Sequence, residues 1–209
     1  MSPRAYASPA RQAAALETQR RILRSAGELF AGQGYGRTSI KAIADHAGVS
    51  VPSVNLAGTK PSLLVRAVAL QFMGDEDRES FADRPSIVEL MADPNGDRAI
   101  GGYALFLAEA NAGVARLVRA MQVAADSDDA VRAAVAEGEV RRRDDMLVAT
   151  GWMVQRGFVT EADVPDAAIT LAWVTSTETY LHFVDLNGWT IERYAAWLES
   201  ALRRLVFSA

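Results

Sequence analysis

Gly34-Tyr35-Gly36-Arg37-Thr38-Ser39-Ile40-Lys41-Ala42-Ile43-Ala44-Asp45-His46-Ala47-Gly48-Val49-Ser50 decides the fold. Ile40, Ile43, Ala44 and Ala47 recur at i, i+3, i+4 and i+7, one apolar face of a helix. Gly48 stops that helix after barely two turns, and Ser50 opens another as its N-cap, with Pro52 tolerated in the first turn. The Ala47–Ser50 turn is tight. Its glycine permits a positive φ, and Val49 is expected to bury between the two helices, so that the second crosses the first sharply.

Upstream, Ile22, Ala26, Leu29 and Phe30 share a face of a helix expected over Glu17–Ala31, ended by Gly32, Gly34 and Gly36. Downstream, Gly58 ends the third helix. Thr59 caps a fourth with Pro61 in its first turn and Leu63, Leu64, Ala67 and Val68 on its apolar face. Beyond Gly74 the helices lengthen and their polar faces turn acidic. They are expected near Ser86–Ala92, Arg98–Ala110, Gly113–Ala125, Asp128–Gln155, Asp166–Leu186 and Ile191–Val206. Gly157 reads as a helix stop, Thr160 with Asp163 as a capping box, and Thr190 as the cap of the last helix. No strand-like alternation of useful length is present, so the fold class is all-α, with an N-terminal three-helix helix-turn-helix domain and a larger C-terminal helical domain. The expected divisions are a disordered arm at 1–15, a helix-turn-helix domain at 16–60 and a second domain at 61–209.

The charge is divided along the chain. Residues 1–70 hold nine Lys and Arg against three Asp and Glu, a net of +6, whereas the remainder holds 13 against 23, a net of −10. A basic first third on an acidic body is the layout of an N-terminal polyanion-binding module. The chain has no cysteine, which removes disulfides, thiolate metal sites and a cysteine nucleophile, and fits a cytoplasmic location. No apolar run is long enough for a transmembrane helix, and the Ala- and Arg-rich start lacks the apolar core of a secretory signal.

Residues 17–50 resemble the tetracycline-repressor (TetR) family of bacterial regulators. The resemblance lies in a helix ending Leu29-Phe30, the Gly34-Tyr35 loop, the Thr38-Ser39 helix start and the Ile43-Ala44-x-x-Ala47-Gly48-Val49-Ser50 turn, and it resumes at Gly58-Thr59-Lys60 before Leu63-Leu64. It implies an all-α homodimer that binds double-stranded operator DNA and answers to a small-molecule effector, as a ligand-responsive regulator and by family default a repressor. Carried over by position, Thr38 and Ser39 offer hydroxyls and backbone N–H groups to a phosphate. Ser50, Val51 and Ser53 open the recognition helix, with Val51 suited to a thymine methyl and Asn55 to bidentate reading of adenine. Thr59 and Lys60 suit a phosphate at the next helix start, and Arg37 and Lys41 add electrostatic contacts. The family usually ends the recognition helix with Tyr, then His or Tyr, then Phe. Here the run is Val54-Asn55-Leu56-Ala57, one residue shorter, and Leu56 is expected to take over the packing role of the missing ring.

In the C-terminal half, one stripe runs through Ile191, Tyr194, Ala195, Leu198, Leu202 and Leu205, and another through Ile169, Ala172, Trp173, Ser176, Tyr180 and Phe183. Two such helices joined by Asn187-Gly188 would pair with a two-fold mate as a four-helix dimer interface. Tyr103, Phe106, Met121, Met146, Trp152 and Trp173 are candidate walls of an effector pocket, with Glu109, Glu178 and His182 as polar anchors. An enzyme is the rival class. Gly32-x-Gly34-x-Gly36 follows a helix rather than a strand, which removes the dinucleotide-binding context, and neither a Walker A sequence nor a Gly-x-Ser-x-Gly elbow is present. Glu178, His182 and Asp185 share a helical face without a second histidine, so no metal and no cofactor is expected. A helical ligand-binding or adaptor protein with weakened or lost DNA binding is the other alternative, resting on the shortened recognition helix.

Overall fold

The computed structural model describes residues 9–73 and 84–206. Among them there is no strand; ten α-helices follow one another. The first four are α1 (Pro9–Gln33), α2 (Ile40–Ala47), α3 (Val51–Ala57) and α4 (Lys60–Met73). Then come α5 (Pro85–Ala92), α6 (Gly96–Ala125), α7 (Asp129–Gln155) and α8 (Val164–Val174). The last two are α9 (Thr177–Tyr180), which widens into a π-helical stretch Leu181–Leu186, and α10 (Ile191–Ala201), which does the same over Leu202–Val206.

Two hydrophobic cores organise these helices. The first gathers Ile22, Leu23, Ala26 and Phe30 of α1, Ile43, Ala44 and Ala47 of α2, Val54 of α3, and Leu63, Leu64, Ala67 and Leu70 of α4. It also takes in Leu117, Ala120, Met121 and Ala124 from the end of α6 and Val131 from the start of α7. The second is built by α5, the first half of α6, the second half of α7 and α8 to α10, with Leu107, Met146, Met153, Leu171, Tyr194, Leu198 and Leu202 at its centre. Helices α6 and α7 therefore belong to both cores.

Several boundaries differ from the sequence expectation. The first helix begins at Pro9, so residues 9–15 of the expected disordered arm are helical; residues 1–8 lie outside the described residues. Alanine at 13, 14 and 15 favours helix strongly, and proline suits a first helical position. The two helices expected at 98–110 and 113–125 are one, and Gly113, expected to begin the second, lies inside it at a contact with α4. A Cβ there would lie 3.3 Å from the Gln71 side-chain nitrogen, so its absence lets α6 approach α4 closely.

Conversely, the single helix expected over 166–186 breaks at Thr175-Ser176. The buried Asn111 amide donates to the carbonyls of Thr175 and Ser176 at 3.3 and 3.4 Å, and Arg142 donates to the Ala172 carbonyl at 2.7 Å. Ser176 then recaps the chain by accepting from the Thr179 N–H. Carbonyls released by the break thus find donors, which removes its main cost. The break also divides the expected stripe: Ile169 and Trp173 face solvent, whereas Ser176 and Tyr180 are buried.

Candidate nucleic-acid interface and cavity

The turn between α2 and α3 has the geometry its residues require. Gly48 adopts φ 62°, ψ 41° and closes α2 with its own N–H on the Ala44 and Asp45 carbonyls. Ser39 caps α2 by accepting from the Ala42 N–H at 3.0 Å, and Ser50 caps α3 by accepting from the Ser53 N–H at 3.3 Å. Val54 faces inward at 0% exposure and pins α3 to the core. Arg66 donates to the Ala57 carbonyl at 2.6 Å and so holds the other end of α3. Helix α3 is thereby fixed on one side, while Val51, Pro52, Asn55 and Leu56 face solvent.

The residues expected to meet DNA fall into three groups. Ser39, Ser50, Val51, Asn55 and Thr59 are exposed or at exposed helix starts, with Ser53 beside them at 2.8 Å, Oγ to Oγ, from Ser50. Arg37 donates to the Gln33 carbonyl at 2.8 Å and Lys41 pairs with Asp45 at 2.6 Å, both at the surface. Thr38 is turned inward. It is 1% exposed, and its hydroxyl donates to the Gly34 carbonyl at 2.9 Å. Leu56 does not assume the packing role of the missing ring. It is 90% exposed, because on a helix of seven residues the inward position is already filled by Val54.

Lys60 introduces two residues to which the sequence alone assigns no DNA-related role. Its ammonium lies 4.2 Å from the centre of the Tyr35 ring, a cation–π arrangement, and burial lowers its pKa. The Tyr35 hydroxyl in turn donates to Asp128 Oδ2 at 3.1 Å. Burial first, and then Asp128, push that phenol up to about 12. Asp128 is the N-cap of α7, its other oxygen accepting from the N–H groups of Ala130 and Val131 at 3.1 and 3.2 Å. The sequence signal for this link is no more than the Asp-x-x start of a long helix.

In the second core, Ile87, Leu90 and Met91 of α5, Ala99, Ile100 and Tyr103 of α6, and Asp145, Met146, Val148, Ala149, Trp152 and Met153 of α7 enclose a cavity of about 50 Å³. Its walls are almost entirely apolar. Trp152 donates its indole N–H to the Met91 carbonyl at 2.8 Å and is stacked under Arg156, whose carbon lies 5.1 Å from the ring centre. Burial pushes the Tyr103 hydroxyl up to about 12, against the opposing field of Arg142 and with that of Asp145.

Of the nine residues expected to form a pocket, Tyr103, Met146 and Trp152 meet here. Phe106 and Glu109 line a separate, open depression with Ser86, Glu89 and Leu105. Met121 belongs to the first core, and Trp173 is 66% exposed. Glu178 accepts from Gln122 at 2.7 Å, and His182 lies edge-on to Phe183 at 5.1 Å between ring centres. Asp185 is paired with Arg116 at 2.8 Å. Among the described residues no three side chains are grouped to hold a metal, and no helix is long and apolar enough to cross a membrane.

Residues 22–56 match the family described as "Bacterial regulatory proteins, tetR family". No curated protein matches the chain. Solved structures share the fold over nearly its whole length. A protein described as a transcriptional regulator from Saccharomonospora viridis, in complex with choline, is 16% identical with a TM-score of 0.70, over 93% of this chain and 100% of that one. SmeT in its triclosan complex is 20% identical with a TM-score of 0.62, over 92% and 93%. MexZ, a key repressor responsible for antibiotic resistance in Pseudomonas aeruginosa, is 22% identical with a TM-score of 0.58, over 92% and 96%.

Proposed function

We infer, from an N-terminal segment that matches the tetR family of bacterial regulatory proteins, that this chain is a ligand-responsive transcriptional regulator, acting as a repressor on operator DNA as a homodimer. The observation that carries the reading is the pair of short capped helices around Gly48, with α3 held by Val54 and its opposite side bare. A helix so mounted enters a major groove by its N-terminal turn. Ser50, Val51, Ser53 and Asn55 are the proposed base-facing side chains. Arg37, Ser39, Lys41, Thr59 and Lys60 are the proposed phosphate contacts, Thr38 contributing through its backbone alone. On this reading residues 16–60 form the DNA-binding domain and 61–209 the effector and dimerisation domain, located in the cytoplasm.

The proposed dimer forms through the last helices. Ile169 and Trp173 stand one turn apart on α8, 71% and 66% exposed, and Leu205 is 61% exposed on the C-terminal helix. Exposed apolar side chains of this size on neighbouring helices suit a two-fold partner. The proposed effector is a small, largely apolar molecule held between α5, α6 and α7; SmeT and the S. viridis protein, of the same fold, were solved with small organic molecules. None of the cavity residues is on α4. An effector would therefore act through α6 and α7, which pack on α4, and would change the roughly 34–36 Å separation that two recognition helices need.

The test is selection from a random duplex library at low salt, followed by binding to the recovered site across a salt series. Recovery of a palindromic site bound by a dimer, with affinity falling steeply as salt rises, is the expected result. A protein that retains no sequence, and whose residual binding ignores salt, favours the adaptor alternative.

A further inference from the structure

A polar contact links the helix-turn-helix to the helix that runs on into the second core: the hydrogen bond from Tyr35 in the α1–α2 loop to Asp128 at the head of α7. Its surroundings are ordered on both sides. Tyr35 packs on Phe30 with 5.6 Å between ring centres and carries the Lys60 ammonium on its face. Asp128 divides its two oxygens, one closing the first turn of α7 and the other receiving the phenol. Val131, one turn along, is fully buried in the first core. From there α7 runs as one continuous helix to Met146, Ala149 and Trp152 in the cavity wall, a span of about 23 Å to Met146 and about 32 Å to Trp152 at 1.5 Å per residue.

We propose that Tyr35 is a positioning residue that couples α7 to the DNA-facing surface, its hydroxyl anchored by Asp128 and its ring setting where the Lys60 ammonium stands. The proposal rests on the DNA-binding reading. The physical argument concerns pre-organisation. A lysine on a four-carbon stem loses rotamer freedom when it grips a phosphate. The ring beneath it removes part of that cost in advance, provided the ring itself is fixed. Phe30 fixes the ring laterally, and Asp128 fixes its tip. A displacement of α7 moves Asp128, hence the ring, hence the charge. A phenol is protonated throughout the neutral range, so the donor stays in place there.

The experiment compares the full chain with variants of it: Tyr35→Phe, which keeps the ring; Asp128→Ser, which keeps an N-cap but removes the second oxygen; their double; and Lys60→Ala with and without Tyr35→Phe. Fluorescence anisotropy follows a labelled random-sequence duplex between about 50 and 200 mM salt. Y35F and D128S should each weaken binding about two- to tenfold, the worth of one hydrogen bond, with the double no weaker than the worse single. In the K60A protein, Y35F should add nothing. Two singles that bind like wild type overturn the proposal, as does a Y35F effect of the same size with Lys60 present and absent. Hydrogen exchange separates this result from failure of the regulator reading. Even if wild type binds no duplex, faster exchange of the Ala130 and Val131 amides in Y35F supports the link, and unchanged exchange overturns it.

Discussion

Trp152 and Met91 are joined by an indole N–H donated to a backbone carbonyl over 2.8 Å, and that bond ties the end of α5 to α7 beside the cavity that both residues line. Arg156 donates to the same carbonyl at 2.7 Å while lying over the indole ring. Replacing Trp152 by Phe keeps a ring in the wall and removes the donor. The expected cost is about 1–2 kcal/mol of unfolding free energy, measured by urea denaturation, and it should stay at the low end because Arg156 still serves the carbonyl.

Gly48 closes α2 at φ 62°, with open space where a Cβ would stand. Gly48→Ala should therefore cost only the backbone penalty of the left-handed region, about 1–2 kcal/mol, with no clash added. The check is a melting curve. A destabilisation several-fold larger would mean that the turn is crowded.

Val54 and Leu56 are two residues apart and have opposite surroundings. Val54→Ala should cost about 1–3 kcal/mol, since it is fully buried in the first core. Leu56→Ser should change stability by less than about 0.5 kcal/mol, since the side chain is 90% exposed. If α3 is the recognition helix, the second substitution should instead alter DNA affinity, read by anisotropy.

Asn55 and Lys60 should separate specificity from affinity. Lys60→Ala should weaken binding to all duplexes and flatten the salt dependence, by about one unit of slope for the phosphate that no longer has its cation. Asn55→Ala should change which sites a selection recovers, at a cost of about 1–3 kcal/mol for the preferred base.

Tyr35 supplies a pH prediction. Its folded pKa of about 12 lies above the ordinary phenol value of 10.0 because of burial first and the Asp128 carboxylate second. Its contribution to stability is accordingly complete below pH 10 and is lost as pH rises through the folded value near 12. Absorbance at the tyrosinate band should show a late-ionising phase whose amplitude falls by one phenol in Y35F, the remainder including Tyr103, which burial also pushes up to about 12.

The residues around Gly48 were readable in sequence because local chemistry alone determines them: a serine cap, a glycine in the left-handed region and an apolar face at helical spacing. The long-range features were not readable, for reasons that can be named. Gly113 looks like the start of a new helix but is a place inside α6 where α6 and α4 approach, and only tertiary packing tells the two apart. Thr175-Ser176 looks like mid-helix, yet Asn111, 64 residues away, supplies the amide that stabilises a break. Leu56 looks like a core residue because its type is apolar, whereas the single inward position of a two-turn helix goes to Val54. Of the expected pocket walls, those on the α6 and α7 faces that turn toward α5 converge, and Met121 fails to because α6 has by then passed into the other core. The Tyr35–Asp128 bond joins residues 93 apart and carries no local signature.

That passage of α6 from one core to the other limits what can be taken apart. Leu117, Ala120, Met121 and Ala124, together with Val131 of α7, close the floor beneath the first four helices. A fragment ending at Met73 would present that floor to water, so it should express as a molten or aggregating species. The first four helices therefore have no closed core of their own, and transplanting them onto another body would require carrying the end of α6 and the head of α7 along with them.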